Sequence, residues 1–251
     1  NLVDFIDESH FIDIRNNLEL NKMIFRLRPE VVFHLAAQPL VLEGYKNPLM
    51  TWETNLMGSL NLLNSLTNLR KKLALIMITT DKVYKNKEWS YGYREQDELG
   101  GHDPYSSSKA ACEMAIDSWR LSYCEAKNNE ETLLRIASAR SGNVIGGGDW
   151  SKDRIIPDAI RSLNKNSEII LRNPNSTRPW QHVLDPLSGY ILLAENLYKY
   201  SQKHNGDLIN KFATSYNFGP NIESNKKVIE LIDEISKHCS GLKVGKNNNN
   251  N

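Results

Sequence analysis

The sequence predicts an α/β fold built on a doubly wound parallel sheet with a smaller C-terminal lobe, and three observations support this. The first is a set of apolar runs of strand length, "VVFHL" at 31–35, "LALIMITT" at 73–80 and "TLLRIASAR" at 132–140. Continuous apolar runs are typical of parallel strands that are covered on both faces. The second is the alternation of these runs with helical segments over the first 140 residues. The third is a change after Arg140 to stretches marked by glycine and proline, which indicates a second lobe.

The composition excludes several classes of protein. The chain has 251 residues and a formal net charge of +1, so neither a nucleic acid nor an anionic membrane is expected as a partner. The longest aliphatic run, at 73–78, is far too short to span a bilayer. The three cysteines lack paired spacing, which argues against a disulfide framework or a zinc site and favours a reducing compartment. We therefore expect a cytoplasmic protein with no metal.

A helix is predicted between the first two strands. Asn47 can cap it, and Pro48 suits its first helical position. Apolar side chains then recur at spacings of three and four, which gives one stripe: Leu49, Trp52, Leu56, Leu60 and Leu63. We interpret this stripe as buried core.

A second long helix is predicted from about Tyr105 to Lys127, and it begins with a pair of chemical interest. Tyr105 and Lys109 are four residues apart, so they share one helix face. A nearby ammonium favours the phenolate and lowers the pKa of a tyrosine, which makes it a base for the proton of a sugar hydroxyl during hydride transfer. The spacing alone is weak support, because such pairs also arise by chance where a helix begins.

A second polar group follows the strand at 73–80. Thr79 and Thr80 end the apolar run of that strand, and Asp81 and Lys82 follow, so the four stand at its carboxyl end, where open α/β sheets bind ligands. A polar exit from a strand would give the same residues. Together with Tyr105 they form a concentration of proton-handling groups, which favours an enzyme.

Six motifs, taken in order, resemble the extended short-chain dehydrogenase/reductases and, within them, the nucleotide-sugar 4,6-dehydratases. They are "HLAAQ" at 34–38, the helix around Asn55, "TTDKVY" at 79–84, "GGHDPYSSSK" at 100–109, "SARSGNVIGGGDW" at 138–150 and "RPWQHV" at 178–183. The resemblance spans roughly residues 9–220 and implies a Rossmann-like fold. Relatives that act on dTDP-glucose usually have Glu after Thr-Asp, whereas this chain has Lys82. That departure resembles the branch that acts on CDP-glucose.

The resemblance implies an NAD-dependent dehydration of CDP-glucose to a 4-keto-6-deoxy sugar nucleotide. Tyr105 would take the proton of the 4-hydroxyl as hydride leaves C4, water would be lost across C5 and C6, and hydride would return to C6. Thr80 would hydrogen-bond the 4-oxygen and Lys109 would assist Tyr105, while Asp81 and Lys82 would handle the elimination. As a base Lys82 must be neutral, and as an acid Asp81 must be protonated. Alternatively, Lys82 only stabilises the enolate by its charge.

The resemblance also implies binding residues. For NAD these are Asp13, Ile14, Ala36, Ala37, Gln38 and Asn55, together with Tyr105 and Lys109. For the sugar nucleotide they are Asn143, Arg154, Arg178 and Trp180. Simpler interpretations stay open: an edge strand at Asp13 and Ile14, solvated surface arginines, and core packing of Trp180.

The domain boundaries expected from the sequence are an NAD-binding part at 1–141 and a nucleotide-sugar-binding lobe at 142–251, with about 183–220 returning to the first part. The strand, glycine-rich turn and helix that open a dinucleotide-binding fold are not among these residues, so we expect an N-terminally truncated chain. A homodimer through helices at about 49–69 and 105–127 is expected from the resemblance, although either helix could be internal core. An epimerase or reductase of the same family, or a catalytically silent scaffold, are the alternatives in function.

Overall fold

The computed structural model describes residues 2–124, 134–199, 202–204, 207–209 and 211–245. Its main sheet has four strands in the order β1, β2, β3 and β10, and β1 pairs with β2 in parallel. Strand β1 is Val31–His34, β2 is Leu73–Thr80, β3 is Leu134–Ser141 and β10 is Ser215–Phe218. The predicted α/β class is confirmed.

Helices occur in both halves of the described chain. They are α1 Asn17–Leu27, α2 Val41–Lys46, α3 Pro48–Trp52, α4 Gly58–Asn68, α5 Pro104–Trp119, α6 Ile155–Asn164, α7 Leu184–Lys199 and α8 Val228–His238. The short strands are β4 Val144–Ile145, β5 Glu168–Ile170, β6 Thr177–Pro179, β7 Gln181–His182, β8 Gln202–His204, β9 Asp207–Ile209, β11 Asn225–Lys227 and β12 Lys243–Gly245. None of the helices in the described part of the chain combines the length and apolarity that crossing a membrane requires.

The main core forms where α1, α4 and α5 pack on the sheet. Strands β2 and β3 are buried along nearly their whole length, as their continuous apolar runs predict. Strand β1 departs from that prediction, because Val31 and Phe33 are each 40% exposed. It lies at the edge of the four-stranded sheet, so among the described residues only one of its edges is paired.

The helix after Asn47 differs from the predicted apolar stripe. Leu49 is 78% exposed, whereas Thr51 and Asn55 are completely buried. A π turn, Glu53–Met57, joins α3 to α4, and the N–H of Gly58 donates to the carbonyl of Glu53. The buried face of α3 and the π turn is therefore polar and held by hydrogen bonds, which a pattern of apolar residues does not reveal. The interpretation of the whole stripe as core was wrong.

The chain folds into two compact units. The first is Asn1–Ala139 with Leu193–Tyr216, and the second is Arg140–Leu192 with Asn217–Asn251. The second unit has its own small core, in which Ala159, Ile169, Leu171 and Ile232 are buried. Strand β4 pairs with β7, β5 with β12 and β6 with β11 inside it. The assignment of NAD to one part and of the sugar nucleotide to the other stays a prediction.

Candidate active site

The start of α5 is fixed by a capped turn. Asp103 caps the helix, with its carboxylate accepting from the N–H groups of Tyr105 and Ser106, and Ser106 Oγ accepts from the N–H of Asp103. Gly101 touches the first turn so closely that a Cβ there would lie 2.1 Å from the carbonyl carbon of Ser106. Only glycine fits that position, and the loop therefore sets where Tyr105 leaves the helix.

Tyr105 and Lys109 are both buried on α5, at 8% and 6% exposure. Gly44 of α2 packs against Tyr105, since a Cβ there would be 3.3 Å from its backbone nitrogen. Lys109 Nζ donates to the carbonyl of Ile78 at 3.2 Å. An ammonium has three N–H donors, and within the described residues this is the hydrogen bond that Lys109 makes, so two donors are available to a bound molecule.

Burial also affects the charge of Lys109. Desolvation lowers the pKa of its ammonium, and the neighbouring Cys112 and Glu113 act in the opposite direction. The ammonium form is therefore the one that needs support from nearby acceptors and negative charge.

Thr80, Asp81 and Lys82 follow directly at the end of β2. Thr80 Oγ1 donates to Asp81 Oδ1 at 3.1 Å and accepts from the N–H of Lys82 at 3.3 Å. The short 3-10 turn Asp81–Val83 packs against α5, which brings these three residues to the helix that carries Tyr105 and Lys109. Thr80 is buried, Asp81 is half-buried and Lys82 is exposed. The structure thus gathers the five predicted catalytic residues in one unit.

Gln38, Asn55 and Ser108 form a buried hydrogen-bonded group, called here the Asn55 cluster. Asn55 Oδ1 accepts from the N–H of Gln38 at 2.8 Å, and its Nδ2 donates to the carbonyl of Gln38 at 3.1 Å and to Ser108 Oγ at 2.9 Å. Ser108 Oγ donates in turn to the carbonyl of Tyr105 at 2.7 Å. The cluster connects the loop after β1, the π turn and α5. π turns are frequent at functional sites.

The other predicted cofactor residues, Asp13, Ile14, Ala36 and Ala37, lie outside the Asn55 cluster. Asp13 is bound by Arg15, whose side chain donates to it at 2.6 Å, and this holds the pKa of Asp13 down at about 2. Ile14 packs on Gly58 of α4. Neither residue lies in a strand, so the edge-strand alternative was wrong. Ala36 is exposed and Ala37 is half-buried after the end of β1.

The four predicted substrate residues lie in the second unit. Asn143 accepts from the N–H of Gln181 through its carbonyl, and Trp180 Nε1 donates to the carbonyl of Lys226 at 3.2 Å. Arg154 is 3.9 Å from Asp149, a long ion-pair distance, and Arg178 donates to the carbonyl of Thr177. Both arginines are half-buried. Among the described residues, neither guanidinium group forms a short ion pair with a carboxylate.

Two residues of the site were not predicted. Ser108 stands beside Lys109 in the run "SSSK", where nothing in the sequence separates it from its neighbours. Glu113 is completely buried on the same helix face, and its position four residues after Lys109 is a signal that the sequence does contain.

Comparisons with known proteins place this site in context. CDP-glucose 4,6-dehydratase of Salmonella typhimurium is 46% identical over 228 residues, which cover 91% of this chain and 61% of that relative. The chain therefore spans about three fifths of the length of that relative. UDP-glucose 4-epimerase of Mycoplasma genitalium is 28% identical over 91% of this chain and 67% of its own length.

The fold is also found among solved structures. The crystal structure of dTDP-glucose 4,6-dehydratase DesIV from Streptomyces venezuelae, determined with NAD and TYD bound, matches with a TM-score of 0.76 at 20% identity. The match covers 98% of this chain and 69% of that one, and it confirms the Rossmann-like fold. The sequence model of the family described as GDP-mannose 4,6 dehydratase matches residues 6–250. Because that match covers nearly the whole chain, the protein belongs to the GDP-mannose 4,6 dehydratase family of extended short-chain dehydrogenase/reductases, as the six motifs predict.

Proposed function

We propose that the full-length gene product is a lyase that dehydrates a nucleotide sugar at C4 to C6 with NAD, and that its substrate is CDP-glucose. The observation that supports this best is the buried pair of Tyr105 and Lys109, with two ammonium donors of Lys109 available beside a threonine, a carboxylate and a second lysine. The 46% identity to a CDP-glucose 4,6-dehydratase supports the choice of substrate.

The residues of the first unit fit a nicotinamide cofactor. The two available donors of Lys109 suit the hydroxyl oxygens of a ribose, and Ala36 and Ala37 leave room for a cofactor backbone at the end of β1. When bound, NAD would supply the reversible uptake of a hydride. Gln38 and Asn55 would act by holding the loop after β1 in place. Asp13 and Ile14 are proposed with them, although Arg15 must share the Asp13 carboxylate.

The chain's own side chains would move the protons. Tyr105 would accept the proton of the 4-hydroxyl, with its phenolate stabilised by the Lys109 ammonium. Thr80 Oγ1, which donates to Asp81, would donate instead to the 4-oxygen of the sugar. Asp81, when protonated, would give its proton to the departing 6-hydroxyl. Lys82 is exposed, and we propose that its charge stabilises the enolate that forms as the C5 proton is lost to solvent.

The second unit would bind the nucleotide. Pyrophosphate carries two negative charges, and a chain of net charge +1 needs dedicated cations to bind it. Arg154 and Arg178 are proposed for that role, because neither is held by a short side-chain ion pair within the described residues. Asn143 and Trp180 are proposed to contact the rest of the nucleotide sugar. With these roles, residues 1–141 would bind NAD, and 142–251, apart from about 183–220, would bind the nucleotide sugar.

A homodimer in the cytoplasm is the proposed form of the protein. Exposed apolar side chains lie on the segment from α3 to α4, at Leu49 and Met57, and also on α5 and the π turn Arg120–Cys124 that follows it, at Met114 and Leu121. Helices α3 and α5 pack side by side, so the two sets of side chains lie on neighbouring segments. The free thiols of the three cysteines suit a reducing compartment.

An epimerase is the second candidate, because a UDP-glucose 4-epimerase is among the relatives. Epimerisation needs the tyrosine and lysine but has no elimination for Asp81 and Lys82 to assist.

The deciding experiment is mass spectrometry of CDP-glucose incubated with NAD and the full-length gene product. A product lighter by one water, absent with Tyr105→Phe, is the expected result. A sugar nucleotide of unchanged mass but altered stereochemistry would favour the epimerase, and unchanged CDP-glucose would refute the proposed substrate.

A further inference from the structure

His34 is the last residue of β1, and its buried side chain has no part in the proposed reaction. Its Nε2 lies 2.9 Å from Ser59 Oγ, in the first turn of α4. Ser59 Oγ lies in turn 2.6 Å from the carbonyl oxygen of Asn55, in the π turn Glu53–Met57. His34 and Ser59 are 5% and 3% exposed and Asn55 is completely buried, so bulk water does not compete for these contacts.

The direction of each hydrogen bond follows from the atoms that carry a proton. A carbonyl oxygen can only accept, so the 2.6 Å contact requires the Ser59 hydroxyl to donate to Asn55. That hydroxyl has one proton, and Ser59 Oγ must therefore accept from the Nε2–H of His34. A neutral imidazole carries one ring proton, which leaves Nδ1 of His34 without a proton.

The imidazole of His34 is neutral in the folded protein. Burial, and then the charge of Lys109, lower its pKa to about 3. Its ring hydrogen-bonds one of the described residues, Ser59, so none of their carboxylates supports an imidazolium through a hydrogen bond. The Nε2–H tautomer is therefore the form expected at neutral pH.

Asn55 is held through its carbonyl as well as through its side chain. Cys112 of α5 also donates to the carbonyl, at 2.8 Å, and burial raises the pKa of this thiol, which keeps it protonated. The side-chain amide holds Gln38 and Ser108 within the Asn55 cluster. Gln38 follows His34 by four residues, so the hydrogen bonds close a circuit from β1 through α4 and the π turn to the loop after β1.

We propose that His34 is a positioning residue: as the Nε2–H tautomer it fixes Asn55 through Ser59, and thereby the loop after β1 and the first turn of α5. His34 acts through Asn55 and does not touch the reacting atoms. An effect on NAD binding rests on the proposed function, because that loop and α5 carry the residues proposed to bind NAD. The tautomer and the circuit are properties of the folded protein alone.

The first test needs no turnover. In the full-length protein labelled with 15N-histidine, NMR spectra distinguish the protonated ring nitrogen from the unprotonated one, and the signals of His34 are assigned by their loss in His34→Gln. The expected result at neutral pH is a proton on Nε2 and none on Nδ1. A proton on Nδ1, or on both nitrogens, would overturn the proposal.

The second test asks whether the donor must stand at the position of Nε2. The amide nitrogen of glutamine is as many bonds from Cβ as Nε2 is, whereas that of asparagine is as many bonds away as Nδ1. Hydrogen exchange at the N–H of Gln38, which donates to Asn55, reports on the loop. Exchange should be about tenfold faster in His34→Asn, as the loss of one net hydrogen bond predicts, and close to wild type in His34→Gln.

The third test measures the dissociation constant for NAD in the same variants. His34→Asn should raise it by up to about tenfold with a smaller change in kcat, and His34→Gln should restore it. Ile24→Val is the matched control for lost stability, since Ile24 is buried in the core of α1 and lies outside the circuit, and it should leave both readouts unchanged.

Equal exchange rates in His34→Gln and His34→Asn would overturn the proposal. If His34→Asn does not fold, Ser59→Ala takes its place, because it removes the hydroxyl that joins His34 to Asn55. A protein that binds no NAD, or that binds NAD without dehydrating a nucleotide sugar, would refute the proposed function, and the first two tests would still decide the role of His34.

Discussion

Replacement of Asn55 by alanine tests whether the Asn55 cluster holds the candidate site together. The change removes three hydrogen bonds, to the N–H and carbonyl of Gln38 and to Ser108 Oγ, from a side chain that is completely buried. A net hydrogen bond contributes about 0.5–1.5 kcal/mol, and the N–H of Gln38, left buried without an acceptor, costs about 1–3 kcal/mol. We expect Asn55→Ala to lower the free energy of unfolding by about 3 kcal/mol, which for a chain of this size is a fall in Tm of about 6–12 °C.

Urea denaturation followed by circular dichroism measures this loss. The curves of the variants are fitted with one common slope m, the dependence of the unfolding free energy on urea concentration. Asn64→Ala is the matched control, since Asn64 is exposed on α4 and alanine is the better helix former, so its unfolding free energy should change by less than about 0.5 kcal/mol. Asn55→Asp refines the test. Its buried carboxyl group would have a raised pKa in the folded state, so the protein should be more stable below the unfolded-state pKa and lose that stability as the pH rises. A loss for Asn55→Ala no larger than that for Asn64→Ala would refute the reasoning.

Three further predictions follow from burial, close contact and charge. His34 has a pKa of about 3 in the folded protein against an ordinary 6.5, so below pH 6.5 the unfolded chain binds a proton that the folded chain does not. Stability should therefore fall by about 1.4 kcal/mol per pH unit between pH 6 and 3, and His34→Gln should remove that slope in urea titrations at several pH values. Gly101→Ala should cost more than about 2 kcal/mol and most of the activity, because its Cβ would meet the backbone of Ser106, while Gly92→Ala, with open space around it, should cost little in thermal unfolding. Lys82→Met should slow dehydration, and with it solvent exchange of the C5 hydrogen, by about 10²–10⁴-fold, while C4 oxidation persists as NADH absorbance in single turnovers; unchanged dehydration would contradict the role of its charge.

The sequence predicted the parts of the fold in which the local pattern and the tertiary packing agree. Strand β2 is apolar over residues 73–78 and is buried on both faces, and β3 is buried as well, although it carries Arg135, Ser138 and Arg140. The predicted start of α5 at about Tyr105 lies one residue from the observed start at Pro104, because the beginning of a helix is set by local chemistry, here the cap Asp103. The five catalytic candidates could be named because they stand at strand and helix ends, where their order along the chain already predicts proximity.

What the sequence did not reveal depends on contacts between distant segments. Thr51 and Asn55 are buried through hydrogen bonds to Gln38, so a search for apolar periodicity selected Leu49 instead, which is exposed. The ion pair between Arg15 and Asp13 was not predicted. Residues two apart in the sequence bring their side chains together only where the backbone turns, and the sequence does not show that turn. The hydrogen bonds of buried Glu113 to Thr79, Ser138 and Ser215 need three strands to come together, and no local pattern contains that information.

The π turn at Glu53–Met57 adds one residue to the continuous helical segment formed by α3 and α4. Its hydrogen bond from the N–H of Gly58 to the carbonyl of Glu53 spans one residue more than an α-helical bond does. The turn is thus equivalent to one residue inserted into an otherwise regular helix, and the insertion lies where Asn55 reaches Gln38. Removal of a single residue from the turn would restore regular winding and leave the segments on both sides facing as they do, but Asn55 would lose its place. In an alignment of relatives, a one-residue gap at this point would therefore mark a change in the active site rather than a neutral variation in length.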